Sequence, residues 1–199
     1  MICLASRSPR RAQLLTQIGV PHYVHAADID ETPLLNEPAQ AYVERMAQEK
    51  AQAIALQCAD VVLGADTSVI IDGDILGKPA DEQDAAAMLQ RLSGRWHQVV
   101  SGVALAQQTA DGLRCEALSV ITEVQFVELN QQQIAAYIAT GEPADKAGAY
   151  GIQGFGAVMV ASLQGCYSNV VGLPLQQTAA LLSRWQIPVW QPMATKENA

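Results

Sequence analysis

The run Ser6-Arg7-Ser8-Pro9-Arg10-Arg11 places three guanidinium groups and two hydroxyls within six residues. It follows the apolar Ile2-Cys3-Leu4-Ala5 and precedes the amphipathic Ala12 to Ile18, so a buried strand is expected to turn into a helix there. Ser8 suits the N-cap, and Pro9 suits the first helical turn, where its missing N–H costs nothing. A helix start offers unpaired N–H groups and a positive dipole end to an anion. Arg10 and Arg11 run against that dipole, which favours acids in the first turn, so something negative is expected to offset them. Exposed arginines that keep a surface helix soluble are the plainer alternative. The convergence of hydroxyls, helix start and guanidinium forks suits phosphate oxygens better, with Ser6, Ser8, Arg10 and Arg11 as the candidates.

Acidic and amide groups supply the complementary chemistry. Val61 to Ile71 reads as a buried strand interrupted by Gly64 and Asp66. An unpaired buried carboxylate is costly, so Asp66 is expected either to pair with a cation or to lie where the strand opens into a cleft. Gly64 would admit a close approach of backbone or ligand, and Thr67 adds a hydroxyl beside the acid. The acidic stretch Asp28-Ile29-Asp30-Glu31-Thr32-Pro33 is either simply a loop or a set of carboxylates able to hold a hard cation such as Mg²⁺. Asp72-Gly73 is a two-residue hairpin signal that returns Lys78 toward Asp66. Lys50 falls within a helical pattern, where position alone predicts a solvated lysine. His97, alone beside Trp96, is expected to be structural. From Glu142 to Gly156 the chain is rich in glycine without dinucleotide-binding spacing. It reads as a loop in which the Gln153 amide could meet the edge of a pyrimidine ring.

These groups need a scaffold, and the remaining sequence describes one. Expected strands are Tyr23 to Ala27, Trp96 to Ala106, Leu113 to Leu129 and Ala157 to Ala161. Expected helices are Pro38 to Cys58, Asp81 to Leu92, Gln131 to Thr140 with a capping box from Asn130 and Gln133, and Leu175 to Trp185. Strands and helices alternate before two long adjacent strands, which predicts an α/β protein with a mixed sheet covered by helices. Half of the 199 residues are hydrophobic, enough for one compact domain over residues 1–190, or two fused lobes around a cleft, followed by a polar, frayed tail at 191–199. The formal net charge of −8 argues against a general nucleic-acid or membrane-surface binder. Yet six of the 12 basic residues, Arg7, Arg10, Arg11, Lys50, Lys78 and Lys146, fall in the stretches singled out here, as a site for one small phosphorylated ligand would require. The four cysteines lack metal-ligand spacing and are expected to be reduced core thiols, which suits the cytoplasm.

Six motifs in order, Ser6-Arg7-Ser8-Pro9-Arg10-Arg11, Glu49-Lys50-Ala51, Gly64-Ala65-Asp66-Thr67, Gly77-Lys78-Pro79, Asp145 to Gly154 and Asn169-Val170-Val171-Gly172-Leu173-Pro174, closely resemble the Maf family of nucleoside triphosphate pyrophosphatases. The resemblance spans nearly the whole chain. It implies an inosine-triphosphatase-like fold, a divalent metal (Mg²⁺ or Mn²⁺), a homodimer, and hydrolysis of a nucleoside triphosphate to the monophosphate and pyrophosphate. By position it implies Asp66 as catalytic base, and Arg10, Thr67 and Gln153 as residues of substrate choice. Glu31, Lys50 and Lys78 match further positions tied to activity, with Asp66 and Glu31 as candidate metal ligands. Arg, Thr and Gln together resemble the branch acting on dTTP and UTP rather than the 7-methyl-GTP branch. Ser101-Gly102 stands where Thr-Gly is common. A nucleotide-responsive regulator that binds without hydrolysis is the competing expectation from a different class.

Overall fold

A computed structural model describes residues 1–192. Of the polar tail expected at 191–199, residues 193–199 lie outside the described residues. The architecture is a seven-stranded mixed sheet flanked by helices. Its strands in chain order are β1 (Ile2–Leu4), β2 (His22–Val24), β3 (Val62–Ile71), β4 (Asp74–Leu76), β5 (Trp96–Thr109), β6 (Gly112–Phe126) and β7 (Val160–Gln164). They are ordered β2-β1-β3-β5-β6-β7, with β4 paired to β3. Among the described residues only the β1 pairings, with β2 and β3, are parallel. The helices are α1 (Pro9–Gln17), α2 (Ala39–Ala55), α3 (Glu82–Leu92), α4 (Gln131–Ile138), α5 (Tyr167–Val171) and α6 (Leu175–Arg184).

Side-chain alternation along β3 divides the core. Leu63 and Ala65, with Val103 and Leu105 of β5, pack against α1 and α6 through Leu14, Leu15, Leu181 and Leu182. Val62, with Ala104 and Ala106, faces Ala47, Ala51 and Ile54 of α2. Helix α2 lies unusually close to the sheet on that face. A Cβ at Gly64 would collide with the Ala47 carbonyl, and one at Gly102 with the Val43 carbonyl. The close approach anticipated at Gly64 is thus made by the helix backbone, and it brings Lys50 against β3.

Several boundaries differ from the sequence expectation for identifiable reasons. β2 stops at Val24, where its partner β1 stops at Leu4. β5 runs past Ala106 because antiparallel pairing with β6 continues to Thr109 and Gly112. The strand expected from Ala157 starts only at Val160, because Phe155–Met159 forms a 3-10 turn. The N–H groups of Phe155 and Gly156 are bound by the Glu142 carboxylate rather than by a ladder. α5 is only five residues long, too short to show a helical period. The strand expected over Val61 to Ile71 does form, as β3, and carries Gly64 and Asp66 within it. The hairpin does form at Asp72-Gly73, both residues at positive φ. The cysteines are free, but only Cys3 is buried, the other three being partly exposed.

His97 is structural, as expected. It is 2% exposed, its ring meets Phe126 and Tyr150 edge-on, and Nε2 lies 2.9 Å from the Tyr150 hydroxyl. Burial pushes its pKa from 6.5 down to about 4, with a backbone contact from Arg95 opposing. The unfolded chain therefore takes up a proton near pH 6.5, whereas the native protein resists until about pH 4. Stability present above pH 6.5 should be lost across that window, by about 3 kcal/mol in total. Urea unfolding at pH 7 and pH 4.5 should show this loss, and His97→Gln should flatten the slope.

Candidate active site

Strand pairing leaves a notch in the sheet. One edge of β3 is covered by β5 along Val62 to Ile70. The other is covered by β1 only at Val62 and Leu63, and by β4 only from Val69 to Ile71. Between them, residues 64–68 have no strand on that edge, and the chain leaving β1 turns away into Ser6 and α1. Asp66 and Thr67 lie in this gap and project to opposite faces of the sheet. Around it opens a cleft of about 840 Å³ lined by Ser6, Ser8, Arg10, Arg11, Glu31, Lys50, Asp66, Thr67, Lys78 and Gln153, among others. Arg10 and Asp66 thus share one cavity. All six basic residues singled out in the sequence line it, Arg7 and Lys146 included.

Lys50 corrects the expectation of a solvated helix lysine. It lies on the inner stripe of α2 formed by Val43, Met46, Ala47, Ala51 and Ile54, and is 8% exposed. Its Nζ lies 2.8 Å from Asp66 Oδ1 and 2.8 Å from Glu31 Oε1. Asp66 therefore meets both expectations, pairing with a cation and opening onto a cleft. The acidic loop contributes less than its composition suggested. Asp30 is committed to the Thr32 N–H and hydroxyl, leaving Asp28 and Glu31 on the cleft. α2 holds that loop in place. The Tyr42 hydroxyl donates to the Glu31 carbonyl, the Arg45 guanidinium donates to the Thr32 carbonyl, and Arg45 grips both oxygens of Glu37 at 2.7 Å. The Arg45 guanidinium holds the Glu37 carboxyl down at about 2.

The strand-to-helix corner is built differently from the expectation. α1 starts at Pro9 with Ser8 as N-cap residue, but the Ser8 side chain makes no capping bond. Instead the Ser8 N–H donates to Ser6 Oγ at 3.2 Å. Arg11 turns inward and spends three of its five N–H donors on the protein. They reach the Gly172 carbonyl at 2.9 Å, Ser6 Oγ at 3.1 Å and Thr67 Oγ1 at 3.1 Å. Arg10 lies 3.4 Å from Asp145 across the cleft. Lys78 is exposed and makes no ion pair or hydrogen bond among the described residues. Gln153 is likewise exposed, on the glycine-rich loop.

Two residues without an assigned role in the sequence support this corner. Asn169 is fully buried. Its side-chain amide donates to the Val99 carbonyl and to Thr122 Oγ1, both at 3.0 Å, while its backbone carbonyl accepts from Ser101 Oγ. Ser101 Oγ in turn lies 2.8 Å from Thr67 Oγ1. Serine at 101 therefore keeps the hydroxyl that this chain of bonds needs. Asp145, the other, was visible only as an acid within a quoted motif.

The donor set suits a hard divalent cation in part. The carboxylates of Asp66 and Glu31 already converge on a positive group, the Lys50 ammonium. Among the described residues no three His, Cys, Asp or Glu side chains gather to hold an ion, so further ligands would be phosphate oxygens and water, as is usual for Mg²⁺.

A mixed sheet notched beside a cation-lined cleft defines an α/β protein built to hold a small polyanion. The chain belongs to the Maf family, its residues 1–185 matching the family described as Maf-like protein. It is 49% identical over 193 residues to a dTTP/UTP pyrophosphatase of Hahella chejuensis, covering 95% of this chain and 94% of that one. It is 50% identical over 192 residues to a dTTP/UTP pyrophosphatase of Pseudoalteromonas atlantica, covering 94% and 98%. In fold it resembles the solved HAM1 protein from Coxiella burnetii, with 16% identity and a TM-score of 0.53 over 92% of this chain and 98% of that one. No helix among the described residues is long and apolar enough to cross a membrane.

Proposed function

We propose that this chain hydrolyses dTTP and UTP to the nucleoside monophosphate and pyrophosphate. The observation that carries the proposal is the position of Asp66, an acid held by Lys50 in the notch of β3 and opening onto the same cleft as Arg10. The relatives named dTTP/UTP pyrophosphatase, about half identical over more than nine-tenths of both chains, support the choice of substrate.

Asp66 orients a water and accepts its proton as the oxygen attacks the α-phosphorus. The bond from that phosphorus to the oxygen bridging to the β-phosphate breaks, and pyrophosphate leaves with the electron pair. Arg10 and Lys78, with the two N–H groups that Arg11 has left, stabilise the charge that develops on it. Ser6 and Ser8 add donors at the same corner, and Lys50 holds Asp66 and Glu31 in register. A divalent cation, Mg²⁺ or Mn²⁺, held by Asp66 and Glu31 when bound, would supply neutralisation of the triphosphate charge. Thr67 sets the wall beside Arg11, and Gln153 reads the pyrimidine edge with one acceptor and two donors. The chain works as a homodimer, as the family resemblance implies, and in the cytoplasm, which its four free cysteines suit.

Pyrophosphate release with Mg²⁺ should be readily measured from dTTP and UTP, and weak from ATP and 7-methyl-GTP. UTP binding without pyrophosphate release would instead make the chain a nucleotide-responsive regulator. Gln153→Glu places an acceptor where a donor is needed and should lower kcat/KM for UTP by about 10²-fold. Pyrimidine preference that survived this change would remove Gln153 as the reader.

A further inference from the structure

Gln153 is exposed, yet reading a base edge requires its backbone to stay in place. Three glycines, 151, 154 and 156, surround it, and glycine backbone is entropically costly to order. One carboxylate supplies the order. Glu142 Oε1 accepts from the Tyr137 hydroxyl at 2.8 Å and from the Gly156 N–H at 3.1 Å. Its Oε2 accepts from the Phe155 N–H at 2.8 Å. The Tyr137 hydroxyl oxygen accepts from the Gly151 N–H at 3.1 Å. The loop is therefore held two residues before Gln153 and two residues after it. Gly154 rests directly on the clamp, since a Cβ there would collide with the Glu142 carboxylate. Burial alone would raise the Glu142 carboxyl, but the Gly156 and Phe155 N–H groups, the Tyr137 hydroxyl and Lys146 outweigh it and hold its pKa below the usual glutamate value.

The same segment reaches the phosphate side of the cleft. The Glu142 carbonyl accepts from Lys146 Nζ at 2.7 Å, and Lys146 Nζ lies 2.6 Å from Asp145 Oδ1. Asp145 Oδ2 is in turn the partner of Arg10. A loop that carries a base reader and a segment that meets Arg10 thus share one anchor.

We infer that Glu142 is a positioning residue for base selection, holding the Gln153 loop in the one conformation that presents the amide to the pyrimidine. The inference rests on the reading of Gln153 given above. A carboxylate is required because it accepts on both oxygens. The isosteric amide must aim an NH₂ at one of the donors that the carboxylate serves.

The test measures kcat and KM for UTP and ATP in the full chain, as wild type, Glu142→Gln, Tyr137→Phe, Gln153→Ala and the Glu142→Gln/Gln153→Ala and Tyr137→Phe/Gln153→Ala double variants. Glu142→Gln should raise KM for UTP about 10-fold with kcat changed less than about threefold, and should cut the UTP-to-ATP ratio of kcat/KM about 10-fold. Tyr137→Phe should act in the same direction, by about threefold. Each double variant should lose no more discrimination than the larger of the two single losses, because residues acting through one contact are not additive. A ratio that Gln153→Ala destroys but Glu142→Gln preserves overturns the inference, as does a double variant whose losses multiply. Should Glu142→Gln fail to fold, Tyr137→Phe decides: an unchanged ratio overturns the inference, and a fall that disappears in the Gln153→Ala background sustains it. If Gln153→Ala itself leaves the ratio unchanged, the assignment of Gln153 falls and takes this inference with it, while UTP hydrolysis by the wild type is judged separately.

Discussion

Replacing Asp66 with Asn should lower kcat for UTP by at least about 10³-fold while leaving the protein folded, since a positioned base alone contributes about 10²–10⁴-fold. The substitution keeps the volume of the side chain and, through the amide oxygen, one acceptor for Lys50, but removes the charge that accepts a proton. It also removes one of two carboxylates that converge on Lys50 at 2.8 Å. Glu31 remains to pair that lysine, so the buried ammonium is not left alone. Circular dichroism and the urea midpoint should therefore stay close to wild type while pyrophosphate release disappears. Near-normal turnover in the variant would take Asp66 out of the reaction.

The second large effect is expected at Lys50. Lys50→Met retains the length and apolar stem that pack on β3 but leaves Asp66, itself 8% exposed, beside no cation of its own. Removing one member of a buried pair typically costs about 3–5 kcal/mol. The opening of this pair onto the cleft places the expected loss at the lower end, about 3 kcal/mol. The pair is held from three elements: Lys50 on α2, Asp66 on β3 and Glu31 on the loop that α2 tethers. Comparing urea unfolding of the variant with wild type checks the loss. A variant as stable as wild type would mean that the pair does not hold this corner of the fold together.

Much of the site was legible because its chemistry is local. Ser6 to Arg11 announces a strand-to-helix corner through a proline, a cap position and paired arginines, and α1 begins where that pattern places it. Asp72-Gly73 forms its hairpin for a similarly local reason. Lys50 was misread because position in a helix says nothing about which face turns inward. Its spacing from Val43, Met46, Ala47 and Ile54 held the signal, since those residues form the buried stripe on which it lies. Ser8 holds the N-cap position that its residue type suits, yet its side chain makes no capping bond and its own N–H donates to Ser6 instead. Glu142 and Asn169 left no local trace because their partners lie in other elements.

By itself, the sequence determined where most of the strands and longer helices lie, which stretch concentrates positive charge and which acid stands in an apolar run. These are properties of near neighbours, set by hydrophobic period, turn chemistry and the cost of burying a charge. Only the tertiary structure decided that β1 ends and β4 begins on either side of residues 64–68, leaving the gap in which Asp66 and Thr67 are reachable. It also decided that Arg11 braces Thr67 and Gly172 rather than facing only the cleft. Strand register and hydrogen bonds between residues 56 and 161 positions apart depend on how whole elements pack, and no short stretch of chain encodes that packing.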